Sequence, residues 1–227
     1  MAGGIRNRGF VGVLAAAGNV EPILLLNRAV SCMAKRGSLY VGGSFTGSFD
    51  NEKVAHILST NGLVQGLGRG VDGTVNSITF FTDSQTSTEM LIVGGSFHSA
   101  VNLHSIALVK GALAAWNPAT ALWSAISEPF LGRVDVLVSN GPILYLAGTM
   151  SLGDKATSLL SIYDGKTWTT PLGRSNEFVV GGGGGGGIDA MAISDEGHLI
   201  IGGDFVLQGT SVYLARWDGG HFHKIQV

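Results

Sequence analysis

Short runs of apolar residues, separated by glycine-rich or polar turns, fill most of the chain. Runs of this length that lie between turn residues predict β-strands rather than helices. The most regular run has an apolar stretch, two small residues and then Phe or Met two positions later. It occurs four times, at residues 39–45, 91–97, 144–150 and 199–205.

The second small residue of each run marks a repeat. Gly43, Gly95, Gly148 and Gly203 follow one another at intervals of 52, 53 and 55 residues. A fixed period of this length indicates a repeat architecture, and four strands per unit is the arrangement of a propeller blade. The chain is therefore predicted to be an all-β protein, a β-propeller made of four-stranded antiparallel blades, with four repeats.

Each repeat supplies the other three strands of its blade. One short strand precedes the glycine run and another follows it, and Asn-Gly or Asp-Gly then favours a tight hairpin turn into a fourth strand. In the second repeat a longer loop around Trp116-Asn117-Pro118 takes the place of that turn. The predicted first strands are residues 30–33, 75–78, 134–137 and 188–191, and the third strands are residues 54–58, 105–109, 159–163 and 213–217.

The paired glycines indicate that backbones approach closely. In a strand buried between blades, glycine permits an approach that a side chain would block, or a β-bulge. We expect the Phe that follows each pair to pack between adjacent blades, with Met150 in its place in the third repeat.

The repeats also divide the chain. Residues 1–27 are interpreted as an N-terminal segment, either a leftover strand of a preceding blade or a weak targeting segment, and residues 28–227 hold the four repeats. Because strand-like runs in residues 10–26 have no repeat in front of them, we predict that the four blades are part of a larger propeller. The seven glycines at 181–187 are interpreted as a flexible low-complexity insertion. The repeats span approximately residues 28–70, 71–132, 133–187 and 188–227.

Composition narrows the function classes. Charged residues make up only 13% of the chain, hydrophobic residues 45%, and there are 36 glycines, which fits packed strands and argues against disorder. The formal net charge of −2 comes without a basic stripe, so we expect no nucleic-acid partner. The single cysteine, Cys32, excludes a disulfide within the chain.

Candidate chemistry is sparse. His221 and His223, two positions apart on a predicted strand, have no evident third ligand, and neither a nucleophile motif nor a carboxylate pair stands out, so no catalytic, cofactor-binding or metal residue is assigned. Equivalent polar residues on the four first strands would form a ring around a central channel. Such a ring lines a water-filled channel or, alternatively, binds a cation or small polar ligand. Its members are Ser31, Asn76, Asp135 and Asp189.

The order of motifs carries a family resemblance. Hydrophobic-Gly-Gly-Ser-Phe, a short apolar strand, Asp-Gly with Trp, and then Leu-Gly before the next Val resembles the propeller repeats of the cortical marker proteins for cell polarity. The best matches are residues 39–73 and 199–217, and the linking turn matches at 67–70 and 172–174. The likeness covers residues 28–227, and kelch-type propellers share pieces of it.

The resemblance implies a non-enzymatic scaffold that acts as a cell-surface or cortical landmark. We expect a protein partner at the blade loops, membrane attachment only through segments absent from this chain, and self-association through open end blades. The alternative is a propeller enzyme of the kelch or galactose-oxidase type, or a glycan-binding module, because a fold alone does not decide function.

Overall fold

The computed structural model describes ten stretches of the chain, and within them it is all β, with antiparallel sheets and no α-helix. It therefore has no helix there of the length and hydropathy that a membrane crossing requires. The N-terminal segment contains one antiparallel hairpin of β1 (Phe10–Leu14) and β2 (Val20–Leu25). The described residues are 10–14, 20–46, 54–57, 64–104, 108–126, 130–152, 158–171, 178–180, 187–207 and 209–225.

Two of the four repeats form simple four-stranded sheets, which we call blades. In each, the strands pair in chain order and the first strand lies at one edge, as the repeat pattern predicts. Blade 1 consists of β3 (Val30–Arg36), β4 (Ser38–Gly43), β5 (Val54–Ile57) and β6 (Val64–Gly66). Blade 3 consists of β13 (Phe130–Asn140), β14 (Ile143–Leu152), β15 (Ser158–Tyr163) and β16 (Trp168–Thr169).

The second repeat differs from the sequence prediction. Its predicted third strand, residues 105–109, is wrong: β10 (Leu108–Lys110) instead pairs with β9 (Ser99–Val101) in a separate hairpin. The third strand of the sheet is β11 (Leu113–Asn117), which pairs with the glycine-run strand. Blade 2 consists of β7 (Thr74–Thr82), β8 (Glu89–Ser96), β11 and β12 (Leu122–Ser124).

Blade 4 has its first strand in two pieces. The short β17 (Phe178–Val180) and β18 (Ile188–Ile193) both pair with β19 (Leu199–Leu207), and only Asp204 of β19 lies between the two paired stretches. In blade 3 the same interval is spanned by one residue, Arg133. In the sequence, the glycine tract 181–187 therefore separates two strands that pair with nearly consecutive parts of β19. The blade is completed by β20 (Thr210–Trp217) and β21 (Phe222–Lys224).

The blades pack face to face in chain order. Their first strands, β3, β7, β13 and β18, are consecutive neighbours, and three clusters of buried side chains fill the spaces between blades. Phe97 and Phe205 belong to these clusters, as expected from the sequence, whereas Phe45 lies in a smaller cluster with Leu26 and Val41 on the opposite face of blade 1. Within the described stretches, β18 and β3 do not pack against each other as the neighbouring first strands do.

The two glycines of each pair have different neighbours. A Cβ on Gly94 would lie 2.5 Å from Cγ1 of Val134 in the next blade, so the first glycine lets the next blade approach. A Cβ on Gly95 would lie 2.0 Å from the carbonyl oxygen of Thr74, which belongs to the same blade. The second glycine therefore accommodates a backbone irregularity in the neighbouring first strand.

Candidate functional site

A β-bulge occurs at the same register in all four first strands. Pairing with the second strand skips one residue opposite the glycine pair, as between Val75 and Ser77 or between Val134 and Val136. The sequence predicted equivalent positions for four polar residues, and the structure shows that each is the skipped residue of its bulge. They are Ser31, Asn76, Asp135 and Asp189.

The bulges of β3, β7 and β18 lie near the end at which these strands begin, and β13 begins five residues before its bulge. We call the end at which the first strands begin the upper rim. All four first strands run in the same direction, because contacts between neighbouring blades join residues at matching levels, such as Asn76 with Val134 and Thr79 with Ser139. The four bulges therefore lie on one side of the row of blades.

Asn76 joins two blades through its side chain. Its Nδ2 donates a hydrogen bond of 2.8 Å to the carbonyl oxygen of Val134. Further along the same strands, the Leu137 N–H donates to Oγ of Ser77 at 3.0 Å, and Ser139 Oγ donates to the carbonyl of Phe80. Polar side chains of one first strand thus form hydrogen bonds with backbone groups of the next, although the two strands are not paired in a sheet.

Asp135 is engaged within its own strand. Nε and Nη2 of Arg133 lie 2.7 and 3.1 Å from its two carboxylate oxygens, a bidentate pair that neutralises the charge. Ser31 and Asp189, on the two end blades, are exposed. Among the described residues no group of three His, Cys, Asp or Glu side chains is placed to hold a metal ion.

The two histidines near the C-terminus, His221 and His223, both contact Asp218 at one turn. Asp218 Oδ1 accepts the N–H groups of Gly220 and His221, and its Oδ2 lies 2.6 Å from Nε2 of His223. These hydrogen bonds, that of His221 first, hold the pKa of Asp218 well below its usual value. Asn117 and Asp164 make the same contacts to the backbone two and three residues on.

Three exposed apolar side chains lie on blades 2, 3 and 4, two of them toward the upper rim and one beside β12. Leu131 lies at the start of β13 and is 61% exposed, Leu103 follows β9 and is 58% exposed, and Tyr213, in the upper half of β20, is 71% exposed. Sequence reasoning missed this surface, because an apolar residue within a strand does not reveal which face it occupies until the pairing is known.

The hairpin that carries Leu103 is fixed to blade 2. Asn102 is buried, and its side chain accepts the N–H of Trp123 at 2.5 Å and donates to the Trp123 carbonyl at 3.2 Å. The indole Nε1 of Trp123 in turn donates to the carbonyl of Leu67 at 2.7 Å. Because both polar ends of a buried amide are paired, the hairpin has a defined position beside β12, the outermost strand of blade 2.

Comparison with known proteins assigns no family. No family model and no curated protein sequence matches the chain. Among solved structures, one chain of the mitotic checkpoint complex, known from a crystal structure, is similar with a TM-score of 0.46 and 15% sequence identity. The similarity covers 85% of this chain and 51% of that chain, so this protein spans about half the length of the chain that it matches.

Proposed function

We propose that the four sheets are blades of a β-propeller and that the protein is a non-enzymatic scaffold that binds a protein partner through its upper rim. The observation that carries this proposal is the exposure of Leu131 and Tyr213 toward that rim in blades 3 and 4, together with the exposure of Leu103 at the outer edge of blade 2. Exposed apolar and aromatic side chains near polar groups are typical of protein-binding surfaces.

The rigidity of the rim supports the same proposal. Binding costs less when the contacting groups are already held in place. Leu103 follows the buried Asn102, and Leu131 lies on a strand that is joined to blade 2 through Asn76 and Ser139. Loops and strand ends on a rigid scaffold commonly carry binding function.

The test begins with identification of a partner by cross-linking in extracts of the native cells, followed by affinity measurement with that purified partner. We expect cross-links at the upper rim and a large loss of affinity in the variant L103D/L131D/Y213S. The matched control is Met33→Asp, which changes a 58% exposed apolar side chain on blade 1 and should bind as the unchanged protein does. Equal affinity of the triple variant would overturn the proposal.

The resemblance to cell-polarity markers supports a more specific role as a cell-surface or cortical landmark. A fluorescently tagged copy should then concentrate in a restricted region of the cell cortex. A uniform distribution would contradict the landmark role and leave the protein-binding proposal standing.

The scaffold proposal also predicts that the protein does not catalyse the conversion of a substrate. Steady hydrolysis or oxidation of a glycan or alcohol that disappears on a single side-chain substitution would overturn it in favour of a propeller enzyme. Specific retention on a glycan array that persists in L103D/L131D/Y213S would favour a glycan-binding module instead.

A further inference from the structure

The residue before each bulge packs into the preceding blade. Val75 and Val134 are fully buried, and they occupy the space beside Gly42 and Gly94, where a Cβ would lie 2.6 and 2.5 Å from their methyl groups. Ile188 takes the same place in the cluster between blades 3 and 4, which includes Ala147. Each interface between blades therefore has an aliphatic side chain inserted at a small residue.

Blade 4 has the small residue without the inserted side chain. Gly202 is the counterpart of Gly42 and Gly94, since it pairs with the residue directly after the bulge. The nearest described atoms to a Cβ at Gly202 are 3.8 and 3.9 Å away, and all belong to its own blade. Its φ lies outside the left-handed region, so the conformation does not require glycine.

The face around Gly202 is less covered than its counterpart in blade 3. Leu214 pairs with Gly202 and is half-buried, whereas Leu160, which pairs with Ala147, is fully buried. Ala190 pairs with Gly202 from the other side and is exposed. An apolar sheet face left open in this way is a surface for association.

Blade 1 has the aliphatic side chain before its bulge but no described small residue of another blade beside it. Val30 precedes its bulge as Val75 and Val134 precede theirs, but no described blade lies in front of it, and it is half-buried rather than fully buried. Met33, which shares its face through pairing with Val41, is 58% exposed. Val30 packs against the cluster of Leu26, Val41 and Phe45 on that face and stays half-buried, and Met33 is the more exposed side chain there.

We propose that blade 4 of one copy docks on blade 1 of a second copy, with Val30 inserted beside Gly202. The contact repeats the packing of the three interfaces within the chain. Among the described blades, Gly202 is the one such small residue without an aliphatic side chain beside it, and Val30 is the one such side chain that is not inserted beside a small residue. The contact is heterologous, because it joins two different surfaces. Two copies close a ring if blade 4 of each docks on blade 1 of the other, and otherwise further copies add to form an open chain. The proposal rests on the propeller arrangement and is independent of partner binding at the upper rim.

The test measures molar mass by light scattering over a range of protein concentrations. The unchanged protein should exceed the 23.5 kDa of one chain. Gly202→Val fills the empty position and has room in the isolated blade, so at low concentration it should fold with a melting temperature at least as high as that of the unchanged protein. It should weaken association by about tenfold or more, which corresponds to about 1.4 kcal/mol.

Two further variants test the geometry. Met33→Glu charges the face of blade 1 and should weaken association equally, whereas Leu122→Glu makes the same kind of change on another surface and should not. A mixture of Gly202→Val and Met33→Glu chains retains one intact contact and should stop at two chains. A strictly monomeric unchanged protein, full association of either blade variant, or equal weakening by Leu122→Glu would overturn the proposal.

Discussion

The neighbouring glycines of the repeat offer a quantitative test of blade packing. Gly94 faces the next blade, Gly95 faces the bulge of its own blade, and Gly202 faces open space at the position equivalent to Gly94. The same substitution by alanine at the three sites therefore adds one methyl group to three different surroundings.

The expected costs differ in origin and size. At Gly94 the new Cβ would lie 2.5 Å from Cγ1 of Val134 and 3.0 Å from Cδ1 of Leu137, side-chain atoms that can yield at an overpacking cost of about 1–3 kcal/mol. At Gly95 it would lie 2.0 Å from the carbonyl oxygen of Thr74, which cannot move without undoing the bulge. We expect Gly95→Ala to cost about 3 kcal/mol or more, the upper end of that range.

Gly202→Ala should behave oppositely. Since the methyl group meets nothing closer than 3.8 Å, the remaining effect is the lower conformational entropy of the unfolded chain. That effect stabilises by about 0.4–1 kcal/mol. For a protein of this size, 1 kcal/mol shifts the melting temperature by about 2–4 °C, so the three variants should be clearly ordered.

Urea unfolding followed by tryptophan fluorescence measures these free energies, at a concentration below that of any association. The double variant G94A/V134A is the control, because removing the valine methyl groups relieves the contact and should make it more stable than the sum of the single changes indicates. If Gly202→Ala were as destabilising as Gly94→Ala, or the double variant strictly additive, the assignment of the first glycine to the contact between blades would be refuted.

Three other outcomes are expected. Burial raises the pKa of the Cys32 thiol to about 12, so a thiol reagent at neutral pH should label the native protein much more slowly than the unfolded protein. Equally rapid labelling of both would contradict the packing of blades 1 and 2. Deleting residues 181–186 leaves one residue between β17 and β18, as in blade 3. Because a shorter loop costs less entropy to close, the deletion should stabilise the protein by about 1–2 kcal/mol, as measured by urea unfolding. A loss of stability would show that the tract supports blade 4. Hydrogen bonds lower the pKa of Asp218 in the folded protein, so the carboxylate stabilises the fold at pH values above its ordinary pKa of 3.8, and this stabilisation is lost as the pH falls below that value. Asp218→Asn should therefore reduce the pH dependence of stability in that acidic range. An unchanged acid-unfolding curve would contradict those hydrogen bonds.

Much of the architecture was predictable from local pattern. The spacing of the glycine runs predicted four sheets, and the first and second strands of every blade lie where the apolar runs indicated. The matched positions of Ser31, Asn76, Asp135 and Asp189 also followed from the repeat, since residues at the same place in a repeat meet the same backbone geometry. Their role as ligands or as a channel lining remains a prediction.

The third strand of blade 2 was decided by tertiary pairing. Residues 105–109 and 113–117 are both short apolar segments, and either satisfies a local strand pattern. Only Leu113–Asn117 forms the ladder with β8. The equivalence of Trp116-Asn117 with Trp217-Asp218 was the one sequence signal for this choice, because both pairs lead into the same side-chain-capped turn.

The neighbours of the glycines likewise depend on the whole fold. A glycine pair in the sequence indicates that two close contacts exist, but not that Gly94 meets Val134 of the next blade while Gly95 meets Thr74 of its own. The same limit applies to Gly202, whose sequence context resembles that of Gly94 although its surroundings are open. Local sequence determines which backbone shapes are available, whereas contacts between residues far apart in the chain decide what each strand face meets.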